Sequence, residues 1–206
     1  MPLPSAQRHN MARAQTKTSS AKRSGLVAKP WVLRLTSLRD THRLGRALGQ
    51  AAQGGDVLAL FGNLGTGKTT LVRGVAKGLR AEPASVSSPT FTLIQEYPGR
   101  LRLIHTDLYR LTGAQLEDTG LSEYLDDRTV LAVEWAERWN AGIPADRLDI
   151  ELEHRTPDTR RATLTPHGPS ASRWLAAVRA KLRRRSATGA SRRTRVQSRR
   201  SRRASR

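Results

Sequence analysis

The sequence predicts an α/β fold, a three-layer arrangement around a mixed parallel and antiparallel central sheet. Strand-like and helix-like segments alternate through the first half of the chain, as they do when helices cross over between parallel strands. One strand-like segment, Asp56 to Phe61, is almost wholly apolar, the pattern of a strand buried on both faces. Further on, two pairs of β-rich runs separated by short turn sequences bring in antiparallel hairpins.

The elements follow in order. Trp31, Leu33 and Leu35 alternate as a short strand. Thr36 or Ser37 can N-cap a helix with Leu38, Leu44 and Leu48 on one face, ended by Gly54-Gly55. After the Asp56–Phe61 strand come a loop over 62–67 and a helix to about Arg80. Phe91 to Tyr97 and Leu101 to Thr106 are joined by Pro98-Gly99 as a hairpin, residues 113–127 suggest short helices, and Thr129 to Val133 is a second buried strand. Asp149 to His154 and Ala162 to Thr165 form another hairpin about Thr156-Pro157-Asp158. A last helix, over about 170–184, carries Trp174, Leu175, Val178 and Leu182 at helical spacing.

Charge sets the domain organisation. The 206 residues include 37 Lys or Arg and 17 Asp or Glu, a net charge of +20. Residues 1–29 hold six basic residues and no acid, and 183–206 hold eleven arginines and no acid, so the ends carry +17 of the +20. All nine aromatic residues lie between Trp31 and Trp174. The reading is a disordered basic arm over 1–29, a folded domain over 30–182, and a disordered Arg/Ser-rich tail over 183–206. A domain of roughly 150 residues buries about 68–70% of its unfolded surface and folds without staples. The absence of cysteine excludes a disulfide framework, thiolate chemistry and Cys-type zinc sites. No apolar run is longer than that of Val57 to Phe61, far short of the ~20 residues that span a bilayer. No apolar stretch follows the first basic residues as a secretory signal requires, so the expectation is a cytoplasmic protein with no membrane partner.

Gly62-Asn63-Leu64-Gly65-Thr66-Gly67-Lys68-Thr69 fits G-x-x-x-x-G-K-[ST], with a buried strand before it and a helix after it. The glycines allow a tight turn in which consecutive N–H groups converge on phosphate oxygens, aided by the positive end of the following helix. Lys68 reaches the β/γ-phosphates and the Thr69 hydroxyl is a Mg²⁺ ligand, so the chain is expected to bind ATP and Mg²⁺ in a P-loop NTPase-like fold. Backbone or side chains of Asn63, Leu64, Gly65, Thr66, Gly67, Lys68, Thr69 and Thr70 make up the binding segment.

Asp107 and Glu134 each end an apolar strand-like run, where ligands of open α/β sheets collect. They are candidates for metal ligation and water orientation; the plainer alternative is a solvated strand-end acid or a helix cap. Ser87-Ser88-Pro89-Thr90 reads as an ordinary turn, the alternative being a phosphate-sensing loop that offers the Thr90 hydroxyl, and His105 reads as a structural hydrogen-bonding residue. Trp31, Trp139 and Trp174 read most simply as core or interface aromatics.

Over residues 36–165 the sequence resembles the TsaE (YjeE) family, the small ATPases of bacterial tRNA threonylcarbamoyladenosine synthesis. The resemblance rests on Gly62 to Thr70, Ser88-Pro89-Thr90-Phe91-Thr92-Leu93, Glu96-Tyr97, His105-Thr106-Asp107-Leu108-Tyr109-Arg110 and Val133-Glu134-Trp135, in this order. It implies slow ATP hydrolysis in support of the TsaB–TsaD heterodimer, which transfers a threonylcarbamoyl group to adenosine 37 of tRNAs reading codons that begin with A. It also implies that Thr69 and Glu134 ligate Mg²⁺, that Asp107 is an acid needed for hydrolysis, that Thr41 lies near the nucleotide base, and that 88–92 is a loop responsive to nucleotide. Asn63 and Thr66 depart from the Asp and Ala usual in the family's loop, without removing a backbone donor or a metal ligand. The basic arms lie outside the resemblance.

Two other readings compete. A small-molecule P-loop kinase needs an Arg-rich lid, and no compact one is evident between 110 and 130. A tRNA-binding accessory protein would use the tail arginines electrostatically; the plainer alternative there is a solvated low-complexity tail.

Overall fold

A computed structural model describes residues 29–82, 86–89, 93–111, 120–139 and 142–201. Among these, one sheet contains β1 (Trp31–Leu35), β2 (Asp56–Phe61), β3 (Ile94–Tyr97), β4 (Arg102–Asp107), β5 (Thr129–Glu134), β6 (Arg147–His154) and β7 (Arg160–His167). Their spatial order is β1-β7-β6-β2-β5-β4-β3. β6, β2, β5 and β4 run parallel, whereas β3 is antiparallel to β4, β7 to β6 and β1 to β7. This is the mixed sheet that the sequence predicts, with both hairpins in place.

β2 lies at the centre between two parallel neighbours, which explains its nearly continuous apolar run. Leu58 and Leu60 join the core on one face, Val57 and Ala59 the core on the other. The first face is covered by helices α1 (Leu38–Ala51), α2 (Lys68–Leu79) and α3 (Gly168–Ser201), which contribute Leu44, Leu48, Leu71, Val75, Trp174 and Val178. The second layer is thinner among the described residues. Short 3-10 turns at Leu121–Tyr124 and Ala136–Arg138, with Leu108 and Trp139, close over Ile104, Leu131 and Val133.

Ser37 caps α1, its hydroxyl accepting the Asp40 N–H at 3.3 Å. Hydrophobic periodicity does not reveal what joins α1 to α2. Gly45 and Gly49 on α1 lie against Gly74 and Gly78 on α2, and a Cβ on Gly45 would stand 2.9 Å from Gly74 Cα. A Cβ on Gly49 would be equally close, 2.9 Å, to Gly78 Cα. The two backbones touch directly, which only glycine permits.

Several element ends differ from expectation; β6 and β7 begin two residues earlier, at Arg147 and Arg160, and three differences are larger. β3 begins at Ile94; the earlier part of the run expected from Phe91 includes residues 91–92, outside the described residues. Of the helical region expected over 113–127, the described part holds the turn Leu121–Tyr124, and residues 112–119 lie outside the described residues. The largest difference is α3, which does not stop near 184 but runs to Ser201. No proline follows Pro169, and Ala, Arg and Gln propagate a helix already nucleated by its packed portion. The tail expected to be disordered from 183 is therefore helical in backbone as far as Ser201. The disordered arm expected over 1–29 lies outside the described residues except for Lys29. Among the described residues, no helix is long and apolar enough to cross a membrane.

Gly45→Ala and Gly74→Ala should each force α1 and α2 apart, at a cost of about 1–3 kcal/mol from overpacking. Thermal unfolding should show Tm falling by about 2–4 °C for each kcal/mol of destabilisation in a domain of this size. An unchanged Tm would show that the helices part without penalty.

Candidate nucleotide-binding site

From the end of β2 the chain turns through Gly62, Gly65 and Gly67, whose φ angles are 125°, 78° and 104°. Side chains resist this region, so the backbone itself calls for glycine. At Gly62 a Cβ would also strike the Leu152 carbonyl. α2 then starts at Lys68, with Gly67 as N-cap and no side chain capping it. Its first-turn N–H groups and the positive end of its dipole face the turn, an arrangement that attracts an anion.

Lys68 is only 4% exposed. Its ammonium donates to the carbonyls of Gly62 at 2.5 Å and Asn63 at 3.1 Å, and lies 4.0 Å from the centre of a Trp135 ring. Burial lowers the Lys68 pKa below the ordinary 10.5, opposed by the negative charges of Glu134, Glu137 and Asp107. Trp135 adopts the left-handed conformation at φ 58°, which costs roughly 1–2 kcal/mol for a non-glycine residue. Its ring packs 4.8 Å, centre to centre, from that of Tyr109.

Asp107 and Glu134 end β4 and β5 and are direct partners in the parallel register. Both are buried. Thr69 Oγ1 donates to Glu134 Oε2 at 3.1 Å, and His105 Nε2 lies 2.8 Å from Glu134 Oε1. A carboxylate only accepts, so Nε2 carries the imidazole proton in this contact. His105 Nδ1 is buried and has no partner among the described residues. Asp107 is held by other groups: Ser88 Oγ donates to Oδ2 at 2.5 Å and the Tyr109 N–H donates to Oδ1 at 2.9 Å.

A cleft of about 460 Å³ opens over these groups, walled by Leu64, Gly65 and Gly67 to Thr70 on one side and by Ser88, Asp107, Glu134 and Trp135 on the other. The sequence-selected residues thus converge, with two nuances. The Thr66 hydroxyl donates to the Asn63 carbonyl at 2.9 Å, so Thr66 braces the loop from within. Thr41, on α1, is buried with its methyl carbon 3.9 Å from the Cβ position of Gly67. Its hydroxyl has no partner among the described residues. A buried, unpartnered hydroxyl beside an anion-binding turn suits a polar ligand at that spot.

The donor set also suits Mg²⁺. That ion is held by one or two carboxylates together with phosphate oxygens, and Thr69, Glu134 and Asp107 offer hard oxygen donors beside the turn. No cluster of three His, Asp or Glu side chains that could hold a metal by itself occurs among the described residues.

Sequence reasoning passed over Trp135 as a neighbour of Lys68, Ser88 as a donor to Asp107, and Glu137 as a charge felt by Lys68. The structural role expected for His105 is present, and the i, i+2 spacing from His105 to Asp107 already places both on one face of a strand. Thr90 and the 90–92 part of the loop lie outside the described residues.

A family model described as threonylcarbamoyl adenosine biosynthesis protein TsaE matches residues 35–162. A tRNA threonylcarbamoyladenosine biosynthesis protein TsaE from Bacillus subtilis is 40% identical over 136 residues, covering 66% of this chain and 85% of the relative. One of the same description from Streptomyces coelicolor is 38% identical over 145 residues, 66% of this chain and 95% of the relative. The fold is similar to the crystal structure of Bacillus subtilis YdiB, with a TM-score of 0.63, 32% identity, and coverage of 74% of this chain and 96% of that one.

His105→Leu should leave a buried Glu134 oxygen without a donor and lower stability by about 1–3 kcal/mol in denaturant unfolding. His105→Gln, which retains an N–H donor at similar reach, should recover most of that deficit. Equal stability of all three proteins would mean that the pair contributes nothing to the fold.

Proposed function

The chain belongs to the TsaE family of threonylcarbamoyladenosine biosynthesis proteins, and from that premise we propose that it is a Mg²⁺-dependent ATPase serving tRNA modification. It acts in the cytoplasm on the TsaB–TsaD transferase, which forms threonylcarbamoyladenosine at position 37 of tRNAs reading codons that begin with A. The observation that carries the ATP reading is the uncapped start of α2 behind three positive-φ glycines, with Lys68 and a Thr69–Glu134 pair at its mouth.

Each residue has a distinct task in this reading. The amides of 63–70 and the Lys68 ammonium bind and orient the phosphates. Thr41 offers its hydroxyl at the edge of the site. Thr69 and Glu134 would hold Mg²⁺, with Asp107 beside them; the ion supplies positive charge to the β/γ-oxygens. Asp107, steadied by Ser88 and the Tyr109 amide, orients the water that attacks the γ-phosphate and draws its proton. His105 fixes the Glu134 carboxylate from behind. Formation of the carbamoyl bond belongs to the partner; nucleotide turnover here resets it.

In a reconstituted system with TsaB and TsaD, Lys68→Ala or Thr69→Ala should abolish tRNA modification, and full modification by either variant would refute the proposal. Asp107→Asn should slow phosphate release by roughly 10²–10⁴-fold, the scale of a missing general base, while ATP affinity by calorimetry changes only a few-fold. Equal reductions in both would assign Asp107 to binding. Phosphoryl transfer to a small acceptor in place of phosphate release would favour a kinase.

The lowered Lys68 pKa adds a pH signature. Only the protonated amine attracts phosphate, so ATP affinity should fall with rising pH, and the fall should begin below the ordinary lysine value of 10.5. Lys68→Met should bind weakly and without that alkaline decline; a decline identical to that of the unmodified protein would place its origin elsewhere.

A further inference from the structure

β4 leaves the sheet through a closed turn. The Leu108 N–H donates to the Glu134 carbonyl at 3.1 Å, and the Leu111 N–H returns to the Leu108 carbonyl, also at 3.1 Å. Inside this turn the Tyr109 N–H donates to Asp107 Oδ1 at 2.9 Å, so the acid at the strand end helps to hold the residues that follow it. Arg138 Nη1 donates to the Leu111 carbonyl at 3.1 Å and secures the far end. Leu108 is buried in the core, and the Tyr109 ring packs against that of Trp135. Residues 108, 109 and 111 are thus each tied by a hydrogen bond. Arg110 stands between them, an exposed residue that lines the nucleotide cleft.

The charges around the cleft give that position a meaning. Among the described residues that line it, Lys68 and Arg110 are the cations, and Asp107 and Glu134 the anions. Lys68 donates to the Gly62 and Asn63 carbonyls and feels the negative charges of Glu134, Glu137 and Asp107. ATP with its Mg²⁺ adds net negative charge to this balance. During phosphoryl transfer, charge is spread over the γ-phosphate oxygens, and the metal and cationic side chains must neutralise what develops. One ammonium shared among carbonyls and carboxylates is a poor match for that load. A guanidinium donates from a planar fork to two oxygens at once. Arg138, the next arginine along this wall, is held by the Leu111 carbonyl and lies over the Tyr109 ring, 5.6 Å from its centre.

We propose that Arg110 is a catalytic residue, its guanidinium donating to γ-phosphate oxygens while the bond to the β-phosphate breaks. The inference rests on the ATPase reading above and adds a residue to it. In the step, the water oxygen bonds to the γ-phosphorus and one water proton passes to Asp107. The bridging P–O bond breaks, and its electron pair stays on the β-phosphate oxygen of ADP. Arg110 neither gives nor takes a proton, because a guanidinium keeps its charge in proteins. Its part is to meet negative charge with donors already in place. Asp107 organises both halves of this arrangement: its carboxylate orients the water, and its bond to the Tyr109 amide steadies the turn that carries Arg110. One strand end thereby places the base and the cation together.

The test measures phosphate release and ATP affinity of the full-length protein, alone and with TsaB and TsaD, for the unmodified chain, Arg110→Ala and Arg110→Lys. Arg110→Ala should slow phosphate release by about 10²-fold, the scale of losing one donor aimed at developing charge, while ATP affinity by calorimetry changes only a few-fold. Arg110→Lys keeps the charge without the fork and should recover part of the loss. Guanidinium ion added in solution should speed Arg110→Ala and leave the unmodified protein as it was. Because Arg110 is exposed, both variants should unfold at the temperature of the unmodified protein. An unchanged rate for Arg110→Ala overturns the proposal. Equal reductions in rate and affinity would make Arg110 a binding residue and overturn its catalytic role. A slower rate with a lower unfolding temperature and no response to guanidinium would mark a structural arginine, which also overturns it. A loss seen only when TsaB and TsaD are present would assign Arg110 to the protein contact, with the same consequence. Absence of any ATP hydrolysis by the unmodified protein, alone or with its partners, would refute the ATPase reading itself; normal hydrolysis by Arg110→Ala refutes this inference alone.

Discussion

A tight main-chain curl between the central strand and the next helix governs the rest of the molecule. Amides converge on an anion only if Gly62, Gly65 and Gly67 hold φ angles that side chains resist, and only if no side chain caps the helix that starts there. The curl in turn needs α2 pressed close to the sheet and to α1. That closeness comes from a second set of glycines, 45 and 49 against 74 and 78, where backbone meets backbone. The same contact brings Thr41 on α1 beside Gly67, so a helix–helix interface outside the cleft helps to shape the glycine turn.

The acidic side of the cleft depends on register. Parallel pairing of β4 with β5 sets Asp107 directly beside Glu134, and two buried carboxylates at that separation need donors. They receive different ones: Thr69 and His105 for Glu134, Ser88 and the Tyr109 amide for Asp107. The division gives the two acids different surroundings. Glu134 is tied to the first turn of α2, and Asp107 to the segment before β3. Lys68 stands between loop carbonyls and the Trp135 ring, and burial weakens its hold on a proton. Trp135 reaches that position only through a left-handed backbone turn directly after Glu134, a local strain of the kind that functional sites retain.

Much of this was legible in advance. The glycine spacing, the apolar run before it and the helix pattern after it are local signals, and local signals survive in a linear text. Asp107 and Glu134 could be selected because a charged residue ending an apolar run marks a strand's exit into solvent or a site. The glycine contact between α1 and α2 was not legible as such, since a mid-helix glycine reads first as a weak helix former. Its value appears only when the facing helix also carries glycine. The continuation of α3 escaped the sequence for a related reason: composition suggested a solvated tail, whereas a helix nucleated by Trp174, Leu175 and Val178 continues wherever nothing breaks it.

By itself, then, the sequence determined the α/β class, the order of the elements, the glycine turn before α2, and the residues at the strand ends. These follow from periodicity of two or of 3.6 residues, from the few residues that tolerate positive φ, and from charge, all of which act within a few residues along the chain. Tertiary structure decided who meets whom. His105 on Glu134, Ser88 on Asp107, Trp135 over Lys68, Thr41 beside Gly67 and Arg43 on the Leu182 carbonyl all join segments separated along the chain. Such meetings are set by strand register and by how near two backbones can come, quantities that exist only once the sheet has formed and the helices have settled on it.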